Sequence, residues 1–129
     1  MSFDKSQYLY GLYECVEEVA LDRLPVYIVE GAFDVMALSN YGLPAVAVLG
    51  SSMSAYQMHL LKRYTDSIVL WFDNDDAGER VSAEVVELAD EYNIECARVK
   101  SKRPYKDPGE AWQEEGFAGI ARCISGLKR

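Results

Sequence analysis

Between Ser67 and Gly78 the chain passes from five consecutive apolar residues, Ile68 to Phe72, to three carboxylates within four positions, Asp73, Asp75 and Asp76. An apolar run that short reads as a strand buried on both faces, the environment of a parallel sheet. Two other runs have the same character. Val26-Tyr27-Ile28-Val29 ends at Glu30-Gly31, and Ala45-Val46-Ala47-Val48-Leu49 ends at Gly50-Ser51-Ser52. A shorter fourth, Glu95 to Val99, leads into a basic loop at 100–107. Helical patterns separate them: Ala32 to Tyr41 with Gly42 as its stop, Ser54 as an N-cap through to Tyr64, and, after Gly78, a stripe of Val81, Val85, Leu88, Ala89 and Tyr92. Strands alternating with helices specify βαβ units. The expectation is an α/β fold whose four-stranded, mostly parallel sheet is flanked by helices.

The flanks are helical by the same criterion. Leu9, Leu12, Tyr13, Val16 and Ala20 predict a helix over 8–20, with Gly11 as its weak point, and a turn follows at 22–25. Pro108 fits the first turn of a helix reaching about Glu115, and after Gly116 a last helix runs from Phe117 to Leu127. A chain of 129 residues has room for one core. It divides into an N-terminal helical segment at 1–24, the α/β core at 25–117 and a C-terminal helix or tail at 118–129.

Charge and cysteine content exclude several classes. The net charge of −8 rules out a general nucleic-acid binder, because neutralising phosphate takes Lys and Arg. Contact with nucleic acid has to be local, metal-bridged or helped by another polypeptide. The dense basic patch is Lys100, Lys102, Arg103 and Lys106. No apolar run approaches the ~20 residues of a membrane span, and the N-terminus has no signal-peptide pattern. Cys15, Cys96 and Cys123 are far apart and odd in number, which reads as buried reduced thiols in a cytoplasmic protein rather than zinc ligands or disulfides.

The polar residues fall where this plan has a use for them. Glu30 follows the first strand, Asp73 and Asp75 the third, and Asp107 the loop after the fourth. The small residues Gly50, Ser51 and Ser52 after the second let backbone approach a ligand. In an open α/β sheet that edge is where ligands bind. Asp73 and Asp75 are two apart, so an extended chain points them the same way, roughly 6.6 Å apart. Like charges at 4 Å and an effective dielectric of 20 cost about 4 kcal/mol, and a hard divalent cation such as Mg²⁺ reverses that sign. Turn and N-cap chemistry explains Asp-Asn-Asp-Asp before a helix equally well, with Asp76 as the cap. Asp34, one turn past Glu30, suits a supporting ligand or a helix-surface acid. His59 on an exposed helix is idle, and Trp71 and Phe72 are core residues.

Taken together, Val29-Glu30-Gly31-Ala32-Phe33-Asp34-Val35, Leu49-Gly50-Ser51-Ser52 and Phe72-Asp73-Asn74-Asp75-Asp76-Ala77-Gly78 resemble the Toprim domain, a fold shared by primases, topoisomerases and some nucleases. The bacterial-type (DnaG-type) replicative primase is the nearest pattern. Phe3-Asp4-Lys5-Ser6 with Leu9-Tyr10-Gly11-Leu12-Tyr13, Leu60-Leu61-Lys62-Arg63-Tyr64, and Lys106-Asp107-Pro108-Gly109-Glu110 look like its upstream segment, connecting helix and Lys-Asp-Pro-Asp ending. The likeness spans about residues 3–117. It begins inside a primase catalytic core, without the amino-terminal half of that core, the zinc-binding domain or the helicase-binding domain.

What the resemblance implies is metal-assisted nucleotidyl transfer in RNA primer synthesis, in a bacterial or phage replication system. Glu30, Asp73 and Asp75 match the family's main metal-binding acids, with Asp34 and Asp107 as supporting acids and Mg²⁺ or Mn²⁺ as cofactor. Lys5 matches a basic residue near the nucleic acid. On the residues themselves, Lys100, Lys102 and Arg103 could hold triphosphate, and Ser51 and Ser52 are further candidates for nucleotide or nucleic-acid binding. Nucleotides, a single-stranded DNA template, the remainder of the primase core and the replicative helicase are the implied partners. The family has a second acid two residues after Asp107, where this chain has Gly109. Two other readings share the motifs: a Toprim nuclease, such as the ribonuclease that matures 5S RNA, and a non-catalytic module that keeps the metal site for binding only.

Overall fold

The structure is a computed structural model and describes residues 5–16, 25–50, 52–99, 105–125 and 127. The elements are a 3-10 turn at Lys5–Gln7, a helical segment α1 at 12–16, β1 (Val26–Val29), α2 (Ala32–Tyr41), β2 (Ala45–Ala47), α3 (Ala55–Lys62), β3 (Ser67–Leu70), α4 (Asp76–Glu91), β4 (Glu95–Arg98) and α5 (Pro108–Ile124). The four strands form one sheet in the order β2-β1-β3-β4, and every pairing between them is parallel. Ile28 lies opposite Val46 on one side and Leu70 on the other.

Side-chain alternation along the strands builds two cores. Val26, Ile28, Ile68, Leu70 and Phe72 face one way, onto Met58 and Leu61 of α3 and Val85 and Ala89 of α4. Tyr27, Val29, Val69 and Trp71 face the other way, onto Val35 and Leu38 of α2 and Ala111 and Ile120 of α5. The result is a three-layer α/β/α arrangement whose strands are buried on both faces, which is why they read as unbroken apolar runs. Trp71 and Phe72 are core residues, as the sequence predicts. Among the described residues no helix is long and apolar enough to cross a membrane.

Several local expectations are met. Gly42 takes the left-handed C-cap of α2, and Ser54 caps α3 through a reciprocal pair with Gln57. The last helical stretch is two pieces meeting at the non-helical Gly116 (φ 55°, ψ −132°). His59 is exposed, with its ring near Tyr92.

Others are corrected. The helix expected from Tyr8 does not begin there. Tyr10 instead pairs antiparallel with Ala47, exchanging both backbone hydrogen bonds at 3.0 and 2.9 Å. Gly11 then turns the chain at φ +89°, where an added Cβ would lie 3.0 Å from the Ala45 carbonyl oxygen. Helical spacing lost here to the unpaired edge of β2, whose backbone groups need partners. Residues 17–20 of that predicted helix, and 22–24 of the turn after it, lie outside the described residues. The formal strands are also shorter than the apolar runs, although Val48, Leu49, Trp71 and Val99 continue the backbone bonding beyond their ends. Cys15 and Cys123 are buried, as expected, but Cys96 is only half-buried.

Candidate functional site

β1 leads into a helix that returns to β2 on one side, whereas the chain emerges from α3 into β3 on the other side of β1. The carboxyl ends of β1 and β3 therefore flank the point where the winding reverses, the position at which open α/β sheets leave a crevice. Glu30 stands at one lip and Asp73 at the other.

The two acids touch. The Asp73 N–H donates to Glu30 Oε2 at 3.0 Å, which brings the two carboxyls close enough for each to act on the other. Two carboxyls that close do not both ionise readily. Burial, the neighbouring Asp73 carboxyl and the charges of Asp73 and Asp75 push Glu30 from an ordinary 4.5 up to about 8, against the opposing pull of the Asp73 N–H. The Glu30 backbone is pinned as well. Its carbonyl accepts from the N–H of Leu49 at 3.0 Å, and Leu49 sits in the left-handed region at φ 56°, a conformation unfavourable for a leucine.

Asp75 takes a different part from the one its spacing suggests. It is the N-cap of α4, and its Oδ1 accepts from the Gly78 N–H at 2.7 Å. This replaces two expectations: Asp76, not Asp75, as the cap, and a helix beginning only after Gly78. Gly78 lies inside the first turn of α4 because nothing larger fits there. An added Cβ would stand 2.0 Å from the Asp73 carbonyl oxygen.

Asp34 is 7% exposed, so it is no surface acid. It joins two helix starts, accepting from the Gly31 N–H at 3.3 Å with Oδ2 and from the Gly109 N–H at 2.9 Å with Oδ1. Burial, with the charges of Asp107 and Asp73, raises it from 3.8 to about 6, although both backbone donors pull the other way. Asp107 caps α5 by accepting from the Glu110 N–H at 2.8 Å. The Asn74 N–H donates to the Lys106 carbonyl at 2.9 Å, so the loop before α5 packs on the loop after β3.

The structure thus gathers Glu30, Asp73 and Asp75 at one crevice, with Asp34 and Asp107 as struts beside it. Among the described residues no group of three or more His, Cys, Asp or Glu side chains converges on a point that would hold a metal ion. The Glu30–Asp73 pair nevertheless fits a divalent cation. Two carboxyls held this close call for a proton or a cation, and Mg²⁺ takes one or two carboxylates and fills its remaining positions with water and phosphate. Ser52 is exposed in the loop after β2. Ser51, Lys100, Lys102, Arg103 and the side chain of Lys5 lie outside the described residues. Lys106, passed over as one member of a basic run, is the cation brought to the pair: its Nζ lies 3.6 Å from Asp73 Oδ2. Its place beside the acidic strand end leaves no local trace in the sequence, since Lys106 and Asp73 are far apart in the chain.

One pH effect follows. Between pH 4.5 and about 8 folded Glu30 holds a proton that the unfolded chain has released. Unfolding free energy should therefore fall as pH rises through that window, with Asp34 adding the same sign up to about 6. Metal-free protein should be more stable to urea at pH 6 than at pH 8.5, and Glu30→Gln should flatten the difference. A parent whose stability rises over that range would contradict a protonated Glu30.

Residues 27–112 match the family model described as Toprim-like. The chain is 37% identical over 125 residues to the DNA primase of Thermotoga maritima, covering 95% of this chain and 21% of that protein. The chain spans about a fifth of the length of the curated relatives it matches. In structure it is similar to the Aquifex aeolicus primase comprising zinc-binding and RNA polymerase domains, with a TM-score of 0.83 and 30% identity over 98% of this chain and 31% of that one. A DnaG primase catalytic domain bound to single-stranded DNA gives a TM-score of 0.77 at 30% identity, over 97% of this chain and 40% of that one.

Proposed function

We propose, because this chain belongs to the Toprim-like family in the form carried by bacterial-type primases, that it supplies the metal-binding part of a primase catalytic core and acts in RNA primer synthesis for DNA replication. The observation that carries this reading is the contact between Glu30 and Asp73 across the crevice between β1 and β3. Mg²⁺ or Mn²⁺ bound there supplies charge neutralisation at nucleotide phosphates and a fixed reference for the attacking 3′-hydroxyl. Glu30 and Asp73 hold the cation, and Asp75 adds its negative charge while capping α4. Asp34 and Asp107 support them by fixing the starts of α2 and α5. Lys5, Lys100, Lys102 and Arg103 would supply positive charge for the triphosphate, and Ser51 and Ser52 would contribute to nucleotide binding. Nucleotides and a single-stranded DNA template are the substrates, and the remaining primase core and the replicative helicase are the partners.

The same reading limits what this stretch does alone. A net charge of −8 opposes a template, and a misplacement of ~1 Å between two nucleotides costs about 10²-fold. The 129-residue chain by itself is expected to bind metal and nucleotide weakly and to make no primer. The test is template-directed incorporation of labelled ribonucleotide with Mg²⁺ or Mn²⁺. Substituted for the matching segment of the Thermotoga maritima primase, the chain should retain synthesis, and Glu30→Gln should lower it about a hundredfold or more. A folded chimera that makes no primer with Glu30 intact counts against the proposal. Oligoribonucleotide made by the chain alone, and lost in Glu30→Gln, would establish a complete minimal primase. Cleavage of labelled RNA by the chain alone would favour the nuclease reading.

A further inference from the structure

Lys106 is held in an unusual way for a surface lysine. Its backbone is fixed at both ends: the carbonyl accepts from the Asn74 N–H at 2.9 Å, and the N–H donates to Glu110 Oε2 at 3.1 Å. The next residue caps α5, and Gly109 is tied to the buried Asp34. The side chain, in contrast, is 61% exposed and forms an ion pair with Asp73 Oδ2 at 3.6 Å. The negative charges of Asp73, Asp107 and Asp75 all act on it. A fixed backbone thus carries a solvent-exposed ammonium to the rim of the carboxylate pair.

We propose that Lys106 is an internal counter-ion for Asp73 that a divalent cation displaces, and that the displaced ammonium then takes the phosphates of a nucleoside triphosphate bound to that cation. The inference rests on the carboxylate pair being the metal site. An ammonium and a divalent cation cannot share one carboxylate oxygen without strong repulsion, and the doubly charged ion wins the contest. Phosphate brought in with the cation then offers Lys106 a new partner at the same rim. Lysine suits this exchange because its head group is a compact point charge with three donors on a flexible stem. In the metal-free chain the residue balances the charge of Asp73; in the loaded chain it turns outward to the substrate. The same side chain therefore opposes metal binding and favours nucleotide binding, so its removal should move the two affinities in opposite directions. A lysine with a merely structural part would move them together or leave both alone.

The experiment is calorimetric titration of the whole chain with Mn²⁺ alone, and then of the Mg²⁺-saturated chain with ATP. Lys106→Met, which keeps the stem and loses the charge, should bind Mn²⁺ about two- to fivefold more tightly, the range that breaking an exposed ion pair is worth. It should bind ATP about tenfold more weakly, as expected for losing one charged hydrogen bond. Lys106→Arg should restore parent-like values for both. Mn²⁺ binding that is unchanged or weaker in Lys106→Met, or ATP binding that is unchanged, overturns the inference and leaves the carboxylate site in place. A parent chain that takes up no Mn²⁺ overturns both.

Discussion

A Glu30→Gln, Asp73→Asn double variant is expected to melt at a temperature that Mn²⁺ no longer raises, and without metal to be at least as stable as the parent. In the parent the pair is a liability until a cation arrives. Two carboxyls are held close together at a crevice, and Glu30 is pushed up to about 8. The amides keep the shape: the glutamine of Glu30→Gln retains an oxygen to accept from the backbone N–H of position 73, while the cost of burying ionisable groups is gone. Mn²⁺ at a hundred times its dissociation constant should stabilise the parent by about 2.7 kcal/mol and the double variant by nothing measurable. Asp75→Asn is the informative companion. Asparagine caps a helix about as well as aspartate, so α4 should survive, and the metal response should weaken rather than vanish. Loss of the response in Asp75→Asn as complete as in the double variant would make Asp75 a ligand of equal rank. A double variant that still responds like the parent would put the metal elsewhere.

Gly78→Ala should destabilise the protein by about 3 kcal/mol, although in an ordinary helix the same change stabilises by about 1 kcal/mol. The sign is decided by the Asp73 carbonyl oxygen, 2.0 Å from where the new Cβ would sit, with the Asp75 carboxyl 3.2 Å away. A side chain could swing aside; a backbone carbonyl moves only if the loop moves. That loop carries Asp73, so the variant should also bind Mn²⁺ more weakly than the parent. Urea unfolding with and without metal reads both effects. A neutral or stabilising Gly78→Ala would mean that the chain from Asp73 to Gly78 relaxes freely and that the acids are not held in place by packing.

Strand positions were legible in the sequence because a parallel sheet sandwiched by helices demands apolar residues on both faces, and the runs around Ile28, Val46 and Ile68 have no other economical explanation. The lateral order was not: nothing in the periodicity says that β3 pairs with β1 rather than with β2, and it is that order which sets Glu30 opposite Asp73. The chemistry of the acidic turn was legible, but its division of labour was not. Asp73, Asp75 and Asp76 are equally good by composition, and only backbone dihedrals decide which of them caps α4. Asp34 and Gly109 are 75 residues apart in the chain, so their hydrogen bond left no local trace. The 8–20 segment misled for a simpler reason. Leu9 and Leu12 are spaced for a helix, and the backbone between them was claimed by Ala47.

That claim has a consequence for how copies of the protein meet. A sheet ends wherever its last strand offers unpaired amides to solvent, and such an edge invites another molecule to extend it. On the β2 side, Tyr10 occupies the backbone groups of Ala47 and Leu9 is buried beneath it. On the β4 side the strand is Glu95-Cys96-Ala97-Arg98, with a charge at each end and Arg98 paired to Glu79 of α4. An incoming strand would have to displace a bridge on one side or strip water from charged groups on the other. Self-association by sheet extension is disfavoured at both borders, which suits a domain whose acidic crevice has to stay open along the third.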